Sequence, residues 1–221
     1  MINTMNSQKY IKYPRTYHLP WSEGITSDDR VLSSIDHFIG KRVIITEKMD
    51  GENTTMYNDR IYARSIDSSG GEDRAWVKKF WSTFNYQIPE GWRVCGENLY
   101  AEHSIHYLDL ESYFYGFSIW NNKNICLSWD DTKAWFKLLS DNIISVPVIF
   151  DGIFDKNKII DLWDCSNRNN VEGYVVRLAD EFSFKDFKYN VAKFVRKNHV
   201  TTDQHWRHKE LIKNNLRANY D

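Results

Sequence analysis

The sequence predicts an α+β fold, mostly antiparallel sheets with flanking helices, and three observations predict it. Short segments dense in β-branched and aromatic residues recur along the chain, a few amphipathic helical segments lie among them, and no regular alternation of a doubly wound parallel sheet is present. The aromatic supply suits a sheet-rich core, with nine Trp, thirteen Tyr and twelve Phe against four prolines and ten glycines.

In chain order, strands are expected at 42–47 (RVIITE), 54–58 (TTMYN), 60–65 (RIYARS), 92–97 (WRVCGE), 113–120 (YFYGFSIW), 124–128 (NICLS), 172–178 (EGYVVRL) and 191–196 (VAKFVR). Asn58-Asp59 reads as the turn of a hairpin. In EDRAWVKKFWSTF, Trp76, Phe80 and Phe84 recur every fourth residue, and in DDTKAWFKLLS an acidic, Thr-containing start precedes Trp135, Leu138 and Leu139; both patterns predict helices. A third, more polar helix is expected from about His205 to Leu216.

Composition bounds the function. With 42% apolar and 27% charged residues the 221-residue chain is an ordinary globular protein, and its 29 basic residues nearly cancel 30 acidic ones. Any nucleic-acid partner must therefore be held by a local patch. No run of 18 apolar residues occurs and the N-terminus lacks a signal peptide's apolar stretch, so a cytoplasmic location without membrane contact is expected. Cys95, Cys126 and Cys165 are odd in number and lack a CxxC pair, which argues against a disulfide framework or a zinc site. Without repeats or a long linker, one unit is expected over 1–200, with an N-terminal arm at 1–40 and a short basic helical tail at 201–221.

The stretch TEKMDGENT (46–54) carries the chemistry. A nucleophilic lysine has to be neutral when it attacks, which partial burial or nearby positive charge can arrange, and Lys48 ends an apolar strand just before a Gly51 turn. Alone, Lys-x-Asp-Gly is a weak signal. Its ordered company is specific: Arg64 in YARS, Glu97 in CGEN, the aromatic strand FYGFSIW, Glu172 in VEGYVVR and the basic end VAKFVRK.

In that order the set resembles the motifs of the covalent nucleotidyltransferase superfamily, which includes ATP-dependent DNA ligases, RNA ligases and mRNA capping enzymes; the small ATP-dependent RNA ligases of phages and bacteria are most similar. The resemblance spans about residues 43 to 198. It implies that Lys48 attacks the α-phosphate of ATP to form a lysine–AMP adduct, that AMP then passes to an RNA 5′-phosphate, and that a 3′-hydroxyl displaces it. By the same resemblance Glu47 helps read the adenine through its main chain, Asp50 and Gly51 shape the turn, and Asn53 lies near the reacting phosphate. Arg64 holds a phosphate, Glu97 accepts from the ribose hydroxyls, and Phe117 stacks on the adenine. Tyr115 is the alternative for that stack, because strand alternation places it on the same face. Glu172 works with a magnesium or manganese ion near the α-phosphate, and Lys193 and Lys197 neutralise phosphate charge.

Two departures stand out. Many relatives have an aspartate directly after the stacking aromatic, where this chain has Ser118, and many show Lys-x-Lys where this chain offers Lys193, Arg196 and Lys197. In a strand Lys193 and Lys197 share a face and Arg196 points away, which favours the lysines. HSIH (103–106) lacks a third ligand for a metal, HWRH (205–208) reads as a solvated helix face with nucleic-acid contact as the alternative, and YPRTYHLPW (13–21) as an ordered arm packed on the domain, with a substrate contact left open. Residues 198–221 are too few for the oligonucleotide-binding barrel that follows this domain in DNA ligases and capping enzymes. A monomeric RNA ligase acting on RNA ends or a nicked duplex is therefore expected; the alternatives are a minimal DNA nick-sealing enzyme and a non-catalytic nucleotide- or RNA-binding relative.

Overall fold

The computed structural model describes residues 9–67, 71–164, 170–197 and 211–218. Two sheets form the frame. The first runs in the order β1 (Tyr17–His18), β12 (Val191–Val195), β10 (Gly173–Leu178), β2 (Arg42–Lys48) and β9 (Val148–Ile153). The second runs β11 (Phe182–Ser183), β7 (Ile125–Cys126), β6 (Phe114–Trp120), β5 (Arg93–Asn98), β3 (Glu52–Met56) and β4 (Ile61–Ala63), with β8 (Ile144–Ser145) beside β6. Pairing is antiparallel except at β1 with β12 and β6 with β8, so the α+β expectation holds.

Alternation decides what each face meets. On β2, Val43 and Ile45 pack with Tyr174, Val176, Phe194 and Ile159 of α3 (Lys156–Asp164). The next residue in register, Ile44, turns the other way and packs with Tyr115 of the second sheet. The second sheet's far face packs Met56, Val94, Phe114 and Ile119 against Val77 of α1 (Ala75–Ser82) and Phe136 and Leu139 of α2 (Trp129–Leu139). Between the sheets lies a layer in which Cys95, Trp120 and Cys126 meet Val191 and Phe187, the latter from the one-turn α4 (Phe187–Asn190). Lys48, Thr46, Val175, Arg177 and Lys193 project into the same layer.

Both strongly periodic helices form. Ser128 caps α2, its Oγ accepting from Asp131 N at 3.1 Å, with Asp130 and Asp131 in the first turn as the helix dipole favours. Two expectations need correction. Of the tail helix, 205–210 lies outside the described residues, and 211–216 is extended, bridging Lys213 to Ala101 and Leu216 to Leu110. Asn214 is the reason: only 1% exposed, it donates through Nδ2 to Leu99 O, accepts at Oδ1 from Tyr107 N, and its carbonyl accepts from Tyr113 OH. These long-range bonds replace those of a helix. The basic strand also stops at Val195, so alternation does not extend to Lys197.

Candidate active site

A cavity of about 310 Å³ opens between the sheets, and Lys48 lies in its wall at the last position of β2. Antiparallel register sets Lys48 opposite Gly173, so the preceding residue, Glu172, comes alongside; Lys48 Nζ donates to Glu172 Oε2 at 2.5 Å. Gly173 has to be glycine, since a Cβ there would run into the Phe194 carbonyl of β12. Burial alone would lower the Lys48 pKa, but the carboxylates of Glu172, Glu97 and Asp50 outweigh it and raise the ammonium above its usual range. The lone protein is thus charged at Lys48.

The turn after Lys48 is clamped from the HSIH segment. Asp50 Oδ2 accepts from Ser104 N at 2.7 Å and Ile105 N at 2.9 Å, and Asp50 N donates to Tyr107 OH at 2.9 Å. HSIH thereby holds the turn after Lys48 through its backbone, while His106 Nδ1 meets Glu102 Oε2 at 2.7 Å. A Cβ on Gly51 would sit 2.5 Å from Asn98 O and 2.6 Å from Leu99 Cδ2, so the turn can lie against β5 only without one. Glu52, for which no role was expected, pairs with the buried Arg74 at 2.8 Å and ties β3 to the start of α1.

Glu97, on β5, lines the cavity opposite Asn53 in the register of β3 and β5. Burial pushes its carboxyl up to about 8; Lys48 opposes this and Glu172 and Asp50 reinforce it. Asn53 Oδ1 is buried and has no hydrogen-bond partner among the described residues. Such an acceptor suits a donor brought by a ligand.

Phe117 owes its position to a β-bulge. Cys95 pairs with Ser118 and Gly96 with Gly116, so Phe117 is the extra residue, and both Phe117 and Ser118 line the cavity. Tyr115 does not: it packs with Ile44, Met49 and Leu99, and its hydroxyl accepts from Glu111 N. Val175 of β10 lines the cavity too, giving an apolar surface on each sheet. Glu47 is also a lining residue, with its N–H donated to Pro147 O at 2.9 Å.

Of the three basic candidates near β12, Lys193 alone lines the cavity. Asp29 holds it at 3.4 Å and also lies 3.2 Å from His18 Nε2. Burial lowers the Lys193 pKa; Asp29 opposes the shift and Lys48 adds to it. Arg196 instead pins the backbone around Glu172, its N donating to Glu172 O and its Nε to Val171 O. Lys197 is exposed, its N donating to Glu23 Oε2, so the expected pair of facing lysines does not form. Arg64 lies just past β4 in the cavity wall.

Sequence reasoning gave Tyr13 and Arg15 no individual role beyond their place in the arm, and missed Asp29, Val175 and Arg177 in that wall. Arg177 is buried and braces the two sheets, donating to Leu127 O at 2.8 Å and Phe117 O at 3.3 Å. A charged residue two positions after Val175 in an apolar strand was its visible signal. The arm left none beyond its aromatics, because its pairing partner lies at the far end of the chain.

The RNA ligase family model matches residues 41–195, and the chain belongs to that family. No curated protein matches it. Among solved structures, a lysine-to-alanine variant of Naegleria gruberi RNA ligase with ATP and Mn superposes with a TM-score of 0.54 at 18% identity, covering 86% of this chain and 61% of that one. A second such variant with ATP and Mn gives 0.51 at 18% identity (76% and 53%), and the Naegleria gruberi enzyme with PPi gives 0.50 at 18% identity (73% and 51%). At that identity the likeness establishes the fold, and this chain spans about half to three-fifths of the length of those proteins.

Proposed function

We propose that the protein is an ATP-dependent RNA ligase that joins a 3′-hydroxyl to a 5′-phosphate through a lysine–AMP intermediate. One observation carries the reading: Lys48 Nζ, in direct contact with a carboxylate, opens onto a cavity that also presents Glu97, Lys193, Arg64 and an apolar base platform. Family membership and neighbours solved with ATP and Mn support it.

In the first step the Lys48 ammonium passes a proton to Glu172, and the freed Nζ attacks the α-phosphorus of ATP. An N–P bond forms, the bond to the bridging oxygen breaks, pyrophosphate leaves, and the second Nζ proton passes to solvent. Lys193 faces the phosphates, where a fixed cation stabilises charge developing on oxygen. Arg64 supplies a permanently charged fork for a phosphate. The adenine lies between Phe117 and Val175, and the ribose hydroxyls meet Glu97. In the second step a 5′-phosphate oxygen attacks the same phosphorus and Lys48 leaves; in the third a 3′-hydroxyl attacks the activated 5′-phosphorus and AMP departs.

The residues present fit a magnesium or manganese ion held chiefly by phosphate. Among the described residues no cluster of three His, Cys, Asp or Glu side chains could cage an ion, while Glu172 and the unpaired Asn53 oxygen stand beside Lys48's cavity. One or two protein oxygens plus phosphates and waters is the usual magnesium arrangement. The ion, when bound, shields phosphate charge. Among the described residues no helix is long and apolar enough to cross a membrane.

A joining assay tests the function: a 5′-phosphorylated RNA and a 3′-hydroxyl RNA, alone or aligned on a complement, incubated with ATP and magnesium. A sealed product is expected. Efficient sealing only when both ends are DNA would replace the reading with the DNA nick-sealing one.

A further inference from the structure

The arm brings into the cavity a cation that lies outside the ordered motifs. Tyr13, Pro14, Arg15 and Thr16 all belong to the wall, and contacts on both sides of Arg15 fix them there. Before it, Ile11 N donates to Tyr57 OH and Ile11 O accepts from Tyr62 OH, while the partly buried Tyr13 ring meets Phe117 and Phe187 edge-on with centroids 5.3 and 5.5 Å away. After it, Tyr17 and His18 pair with Ala192 and Lys193 of β12.

Arg15 is oriented but not neutralised. Its Nη1 donates to the Asp28 backbone carbonyl at 2.6 Å, and among the described residues no carboxylate forms an ion pair with Arg15 or Arg64. The nearby acids are engaged elsewhere. Asp28 Oδ1 accepts from Thr26 Oγ1, and Asp29 accepts from Thr26 and meets His18 and Lys193. Burial lowers the Arg64 pKa and the charge of Arg15 lowers it further, so the two guanidiniums feel each other. Two like-charged forks on the wall of one partly enclosed space, neither ion-paired to a carboxylate among the described residues, suit a doubly charged oxyanion.

We propose that Arg15, delivered by the N-terminal arm, joins Arg64 in a phosphate-binding pair for a phosphate other than the one bonded to Lys48. That phosphate is either the β,γ-pyrophosphoryl group of ATP or the 5′-phosphate of the incoming RNA. The inference rests on the nucleotidyl-transfer reading.

The test separates the steps in wild type, Arg15→Ala and Arg15→Lys. Lysine–AMP formation is followed against ATP concentration, and AMP transfer from the preformed adduct to a 5′-phosphorylated RNA is followed in a single turnover. Loss of a charged hydrogen bond predicts about a tenfold effect or more in Arg15→Ala, smaller in Arg15→Lys. A raised KM for ATP with kcat retained assigns the pair to the triphosphate; slowed AMP transfer with KM for ATP retained assigns it to the RNA 5′-phosphate. No change in either step overturns the inference, as does equal loss of both steps in both variants with a lowered Tm. Calorimetry with inorganic pyrophosphate keeps this distinct from failure of the reaction itself. A wild-type protein that forms no adduct, yet binds pyrophosphate about tenfold more tightly than Arg15→Ala, removes the reaction and keeps the site.

Discussion

Lys48 Nζ and Glu172 Oε2 lie 2.5 Å apart, brought together by the antiparallel register of β2 and β10, although 124 positions separate them in the chain. Glu172 thus holds the ammonium charged in the lone protein, and in the proposed reaction it is the group that receives the proton. Glu172→Gln keeps the shape and removes the acceptor. It is expected to slow lysine–AMP formation by about a hundredfold or more, with a smaller effect on the KM for ATP. Rapid-quench measurement of adduct formation checks this; an unchanged rate would remove Glu172 from the proton path.

Glu97 predicts a pH effect on stability. Its carboxyl is raised from 4.5 to about 8, chiefly by burial. The folded state therefore binds more protons than the unfolded one between those values, and stability drains away as pH rises through about 8. Glu97→Gln mimics the protonated form. The nucleotide-free variant is expected to melt about 3 °C or more above wild type at pH 9, with the gap closing toward pH 5. Thermal unfolding across pH checks the sign, and a gap that widens at acid pH would contradict it.

Asp29 is expected to act through Lys193, which it holds at 3.4 Å from the arm. Asp29→Ala frees the lysine and is expected to cut kcat for adduct formation about tenfold. The pH–rate profile should shift too, because the Asp29 charge props up a Lys193 pKa that burial depresses. A purely structural role would lower Tm and leave the profile in place.

Asn214 is expected to be a structural keystone of the surroundings of Lys48. It bonds Leu99 and Tyr107, and the Tyr107 hydroxyl in turn accepts from Asp50 N. Asn214→Ala strands these buried groups and is expected to cost about 2 to 3 kcal/mol, read by chemical denaturation. A loss below about 0.5 kcal/mol would mean the strap contributes little.

The eight strands expected from local composition all form, because RVIITEK, FYGFSIW and GYVVRL are dense in residues that suit a pleated, buried surface. Strand β9 is not legible locally, because VIFDGI breaks its apolar run with Asp151 and Gly152, which read as a turn. Helix α3 was missed in KNKIIDLWD, whose four apolar residues sit among polar ones. The order of motifs made Lys48, Glu97, Phe117, Glu172 and Lys193 legible as candidates, and they do converge on one site. What could not be read was which residue of a strand a bulge would re-aim, where a strand would end, and that the arm would cross to β12. These depend on partners far along the chain.

The most direct measurement is incubation with ATP labelled at the α-phosphate and magnesium, followed by denaturing electrophoresis. The wild-type protein is expected to give a labelled band and Lys48→Ala none. A wild-type protein that stays unlabelled across pH and with either magnesium or manganese, or a Lys48→Ala variant that still takes the label, would contradict the lysine–AMP intermediate.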